Sequence, residues 1–244
     1  VSMRSAWRRW LGQFEQSLDQ LAISTIDVSH FDDAERRSVT LALFARFRAE
    51  LRAALTLADA GHDMAFRSYC RSAIECALHL LHGEAQGNYL EQLRMDDTVS
   101  RRSRAKTFLK NSHGRLAANA TESLEKFLRD SAGAKGKLLI SEIETPFPRL
   151  NHVYREISAD SAHVTWTSLH RQVNQTKIGW ISVEVEAKVS EDEMEESASI
   201  LAFSGLVATK SLLEIVPELD ERYDLQAIFE SYKPVYLDGK EKKE

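Results

Sequence analysis

The chain has 244 residues, 32 basic and 37 acidic side chains, and a net charge of −5. Ten Gly and four Pro are few for this length, and the abundance of Ala, Leu, Glu and Arg favours long helices and argues against a many-stranded sandwich. No apolar run approaches the roughly 18 residues of a membrane span, and the first residues are charged and periodic, unlike the apolar core of a signal peptide.

These features predict a mainly α, cytoplasmic protein with no membrane association: an antiparallel helical bundle with one small β-hairpin or strand excursion. The expected organisation is an N-terminal amphipathic helix docked on the bundle (1–30), a helical-bundle domain (31–233) and a disordered tail (234–244). Charge is uneven along the chain. Residues 1–115 carry 17 basic and 14 acidic side chains, and residues 116–244 carry 15 and 23.

In chain order, Trp7, Trp10, Leu11, Phe14, Leu18 and Leu21 recur at three- and four-residue spacing and predict a helix over Ser5–Leu21. Asp32 and Glu35 have the spacing of a capping box. The helix they would open carries Leu41, Phe44, Phe47, Leu51 and Leu55 on one stripe and ends at Gly61, the residue best suited to a left-handed cap. The short Gly61-His62 connection makes an antiparallel hairpin with the next helix, Asp63–His82. Cys70 and Cys76 on that helix lie about 9 Å apart along its axis, too far for a disulfide, and read as reduced core thiols.

Gly83 and Gly87 loosen the pattern, and Tyr89–Arg94 reads as a separate short turn. A basic helix then starts near Asp97. From Thr98 to Arg115 the chain holds Arg101, Arg102, Arg104, Lys106, Lys110 and Arg115 and no acid, a potential anion or nucleic-acid footprint that competes with a plain solvated helix face. A break at Asn111–Gly114 leads into another helix, closed by Gly133 and Gly136. Leu150 to Val173 is predicted helical. Ile181, Val183 and Val185 alternate with polar residues as in a half-buried strand, whose partner is the Lys177-Ile178 side of a hairpin, the Leu138–Ile143 segment or another subunit. Ser190 and Glu193 form a second capping box, and the helix they open runs to Pro217. A short last helix is expected to end before Pro234.

Two helices carry dense polar constellations. With Glu75 at zero, Arg71 lies at about −40°, His82 at about −20°, Ser68 at about +20° and His79 at about +40°, one polar stripe on an otherwise apolar helix. Such a stripe needs partners. On the Leu150–Val173 helix, Tyr154 and Ser158 share a face, whereas His163 falls on another if the helix is straight; Asp160-Ser161 is a place where it can distort. The arrangement Arg67-Ser-Tyr-Cys-Arg71-Ser-Ala-Ile-Glu75, followed downstream by Tyr154-Arg-Glu-Ile-Ser158 and His163, resembles a bacterial all-helical family known mainly as a domain of unknown function. The resemblance spans about residues 40–215. It implies a helical bundle in which Arg71, Glu75, Tyr154, Ser158 and His163 lie near one another, and it implies no established activity.

Arg71, Glu75, Tyr154, Ser158 and His163 are therefore the candidate catalytic residues. The favoured reading is a binding or regulatory protein, with Arg71 and Glu75 as a structural i,i+4 pair. The alternative is a defence- or toxin-type protein acting on RNA without a metal, in which an arginine holds phosphate and His163 moves a proton. No cofactor is expected, since neither a P-loop nor a dinucleotide fingerprint occurs. No metal site is assigned: Glu75 and His79 are separated by three residues, not the two of the dimetal Glu-x-x-His pattern. Partners consistent with these features are a second copy of the chain, RNA or a small molecule.

Overall fold

In the computed structural model the described residues are 3, 5–21, 23, 26–112, 114–136, 138–162, 164–175, 181–185 and 187–241. The fold is mainly α with a small β excursion. Its contacts divide the chain into two compact units, Val1–Ala85 with Ile140–Glu244, and Gln86–Leu139, where the sequence reading expected one bundle domain.

The larger unit is built on α2 (Ala34–Asp59) and α3 (Asp63–Ala85). They form the expected hairpin. Gly61 sits at φ 77°, a conformation that costs a glycine no Cβ clash, and His62 N–H returns to the Leu57 carbonyl at 2.9 Å to close the turn. The expected Asp32–Glu35 capping box is not formed. The helix begins one residue later, its N-cap Asp33 makes no capping bond, and the Asp33 carboxylate instead takes Arg37 Nε at 2.6 Å.

α8 (Glu191–Ile215) packs against α3, α2 and α1 (Ser5–Ser17). Its capping box is realised in both directions: Ser190 Oγ accepts from Glu193 N–H at 3.2 Å, and Glu193 Oε2 accepts from Ser190 N–H at 2.8 Å. Contrary to the sequence reading, this helix is long and apolar enough to cross a membrane, but most of that stretch is buried inside the unit. Trp7, Leu11 and Phe14 of α1 are almost wholly buried. Trp10 is buried as well, so both tryptophans of this helix are used within the chain's own core.

α9 (Leu225–Glu241) corrects the expected tail, since it runs through Pro234. A proline inside a helix removes one ladder bond, but Tyr232 is buried against Trp7 and Trp10, with ring centroids 5.8 and 5.6 Å away, and Val235 and Tyr236 pack on the same core. Burial of these side chains outweighs the local breaker.

The predicted Leu150–Val173 helix is broken into α6 (Pro148–Ile157), a π turn over Ser158–Ala162 and α7 (Trp166–His170). Strand β1 (Val173–Gln175) pairs antiparallel with β2 (Ile181–Val183), Val173 opposite Val183. Lys177 and Ile178, proposed as the partner side, lie outside the described residues. Val183 and Val185, expected on a buried face, are instead 76% and 94% exposed.

In the smaller unit, α4 (Tyr89–Asn111) is one continuous helix, without the separate turn expected before Asp97, and α5 (Ala118–Asp130) follows. The turn between them comes where Asn111–Gly114 predicts a break, with Gly114 at φ 74°.

The approach of α1 to α8 depends on Gly205. A Cβ there would lie 2.4 Å from Phe14 Cε1, and Phe14 is itself buried and stacked on Trp10 at 5.2 Å. Gly205→Ala is expected to destabilise the fold by about 1–3 kcal/mol through overpacking, although Ala is the better helix former by about 1 kcal/mol. Thermal melting checks this, and Phe14→Leu in the same chain should recover part of the loss.

Candidate functional site

α3 carries Arg67, Arg71 and Glu75 one helical turn apart, and the α6–π-turn segment runs along them. Arg71 is held at all three guanidinium nitrogens. Its Nε donates to Ser158 Oγ at 3.1 Å, Nη1 to Glu75 Oε2 at 2.5 Å and Nη2 to the Tyr154 hydroxyl at 2.6 Å. The guanidinium carbon also lies 4.9 Å from the Tyr154 ring centroid. Four of the five candidate residues are thus in mutual contact. His163, the fifth, lies outside the described residues.

Burial, and then the nearby Glu75 carboxylate, push the Tyr154 hydroxyl above its ordinary pKa, partly opposed by Arg71 and Ser158. Tyr154 is therefore a neutral donor and acceptor at pH 7, suited to orienting Arg71 and poorly suited to taking a proton. The two cysteines of α3 are inert for a related reason. Both are free and buried; burial raises the Cys70 thiol far above its usual range and the Cys76 thiol to about 12, so neither is a thiolate nucleophile at neutral pH.

One turn away is a second cluster that sequence reasoning missed. Arg67 is only 5% exposed and Asp160 6%. Arg67 Nη2 donates to Asp160 Oδ2 at 2.9 Å, and its Nη1 to the Glu193 carbonyl at 3.0 Å and Ser197 Oγ at 2.8 Å. Arg171, just after α7, reaches both Asp160 Oδ2 and Glu193 Oε1 through Nη2, and Glu193 Oε2 through Nη1 at 3.1 Å. Two arginines and two carboxylates close a neutral quartet. Ser68 Oγ adds a bond to the Ser161 carbonyl at 3.0 Å.

The π turn makes this possible. In a straight α-helix Asp160 would point about 200° away from Ser158; the wider turn lets Ser158, Asp160 and the Ser161 carbonyl all reach α3. The Ser190–Glu193 capping pattern marked Glu193, but only as a helix start. Nothing in the local pattern distinguishes Arg67, Asp160 or Arg171 from surface charges.

The five proposed nucleic-acid contacts do not form one face. Arg101 and Arg104 line a groove of about 590 Å³ between α4 and α5, with Phe108, Leu124 and Phe127. Arg102 is half-buried. Lys106 and Lys110 are exposed but do not line that groove; Lys106 falls about 140° round the helix from Arg101. Among the described residues, no group of three or more His, Cys, Asp or Glu side chains is placed to hold a metal ion. The chain matches no family model, no curated protein and no solved structure.

Removing one partner of a buried ion pair leaves the other charge uncompensated. Asp160→Ala is expected to cost about 3–5 kcal/mol, read by chemical denaturation at pH 7. Glu193 gives a pH signature: the hydrogen bond from Arg171 holds its carboxyl at about 2, below its ordinary 4.5. A depressed carboxylate stabilises the fold fully above its unfolded pKa and loses that contribution as pH falls through its folded value. Melting temperature should therefore fall between about pH 4.5 and 2, and Glu193→Gln should flatten that part of the profile.

Proposed function

We propose that the chain is a noncatalytic binding protein that engages a negatively charged partner through its Gln86–Leu139 unit, with the Arg71 cluster acting as a fastening between helices. The observation that carries this reading is the segregation of charge. Residues 86–139 hold 11 basic and 6 acidic side chains, a net +5, so the rest of a chain of net −5 stands at −10. Local positive potential of this kind attracts and orients anionic partners even when the whole protein is acidic.

The Arg71 cluster supports the noncatalytic half of the reading. Each of its nitrogens already has a partner on the chain, so binding a substrate phosphate would require breaking charge-assisted bonds, which are worth about 1.5–3 kcal/mol each. A fastening needs those bonds made; a phosphate-binding arginine needs some of them free.

The full chain should bind an immobilised polyanion such as heparin and elute with salt despite its net negative charge. The double variant Arg101→Gln/Arg104→Gln should elute at markedly lower salt, with only a small change in melting, because both side chains are exposed and the Arg101–Asp97 pair is solvated. Failure of the unaltered chain to bind would remove the reading. RNA incubated with it should remain intact; cleavage that disappears in His163→Ala would replace it with the RNA-cutting alternative.

A further inference from the structure

We propose that the α4–α5 groove binds single-stranded nucleic acid, with its arginines on phosphates and its phenylalanines on bases; this rests on the reading of the Gln86–Leu139 unit as the anion-binding part of the chain. Arg101 and Arg104 stand about 60° apart on α4, and both are exposed at the groove. Phe108, one turn beyond Arg104, is 56% exposed. Phe127 faces them from α5, with the Arg101 guanidinium carbon 5.5 Å from its ring centroid. That contact is within cation–π range.

The groove thus pairs cations with aromatic faces within about one turn of helix. A phosphate surface alone would need only the cations, and a large exposed phenylalanine beside them has no role in binding a purely ionic partner. Single strands use both: the backbone follows the positive charge while unstacked bases lie on aromatic side chains. A duplex keeps its bases stacked on one another and offers no free face to Phe108. An acidic peptide satisfies the arginines but leaves the ring uncovered. Arg101 also lies 3.7 Å from Asp97, but both side chains are about 60% exposed, and an ion pair so solvated is readily exchanged for a phosphate.

The test uses the full chain and fluorescein-labelled 12-mers in fluorescence anisotropy. One is deoxythymidylate, and one is an abasic strand with the same number of phosphates. Binding of the thymidylate strand should be salt-dependent, and Arg104→Ala should reduce the slope of log K against log salt by about 0.7. Phe108→Ala should weaken that binding about fivefold to a hundredfold, while leaving heparin retention and far-ultraviolet circular dichroism unchanged. The abasic strand should bind the unaltered chain more weakly by a similar factor and should be indifferent to Phe108→Ala.

Equal binding of the two strands, or no effect of Phe108→Ala on the thymidylate strand, would overturn the proposal while leaving a general polyanion surface in place. Tighter binding of a polyglutamate peptide than of the thymidylate strand would overturn it in favour of an acidic protein partner. Absence of binding to strands and heparin alike would overturn both this proposal and the reading on which it rests.

Discussion

Arg67 is a guanidinium about nineteen-twentieths removed from water, and a charge in that position has to be neutralised within hydrogen-bonding distance or it destabilises the fold by several kcal/mol. The groups that neutralise it come from three other places in the chain. Asp160 arrives from the π turn after α6, Glu193 and Ser197 from the first turns of α8, and Arg171 from the residue after α7 balances the second carboxylate. One buried cation therefore pins four segments at a single point. With the π turn anchored there, α6 lies along α3, and Tyr154 and Ser158 come within reach of Arg71. The Arg71 cluster is in this sense downstream of Arg67.

Beside this network, two buried hydroxyls of α8 need no distant partner. Ser204 and Thr209 of α8 are fully buried, but each hydroxyl bonds back to the carbonyl four residues earlier, at 2.7 and 2.8 Å, satisfying itself within its own helix. α8 can then be surrounded by α1, α2 and α3, and Gly205 lets α1 come in close over Phe14. The acidic unit so built has its buried cations matched internally. The excess positive charge of the chain is gathered in the Gln86–Leu139 unit, where α4 exposes Phe108, and this segregation is what supports the proposed binding reading.

Parts of this were legible from residues alone because the determining interactions are local. The Gly61 turn and the Ser190–Glu193 cap involve neighbours in sequence, and both appear as the pattern predicts. The polar stripe of α3 showed that Arg71 and Glu75 needed partners, but the residues alone left open whether Tyr154 and Ser158, or His163, would supply them. Where local signals misled, a competing side-chain contact outweighed them, distant in one case and a single helical turn away in the other. Pro234 does not end its helix because Tyr232 is held between Trp7 and Trp10, and Asp33 takes Arg37 instead of capping α2. Val183 of β2 and Val185 beyond it show the opposite case, two alternating apolar positions that stay exposed.

By itself, the sequence determined the helical class, the α2–α3 hairpin, the reduced state expected of Cys70 and Cys76 and the concentration of basic residues after Thr98, since composition, periodicity and turn chemistry act over a few residues. Only the tertiary structure decided that the chain divides into two units, that Arg67 needs Asp160 and Glu193, and that of the five proposed nucleic-acid contacts Arg101 and Arg104 share a groove with Phe108 and Phe127. Ionic and aromatic side chains carry no mark of their partner in the local pattern. Which carboxylate an arginine meets, and which face of a helix it occupies with a ring from another, is set by how segments tens of residues apart are brought together.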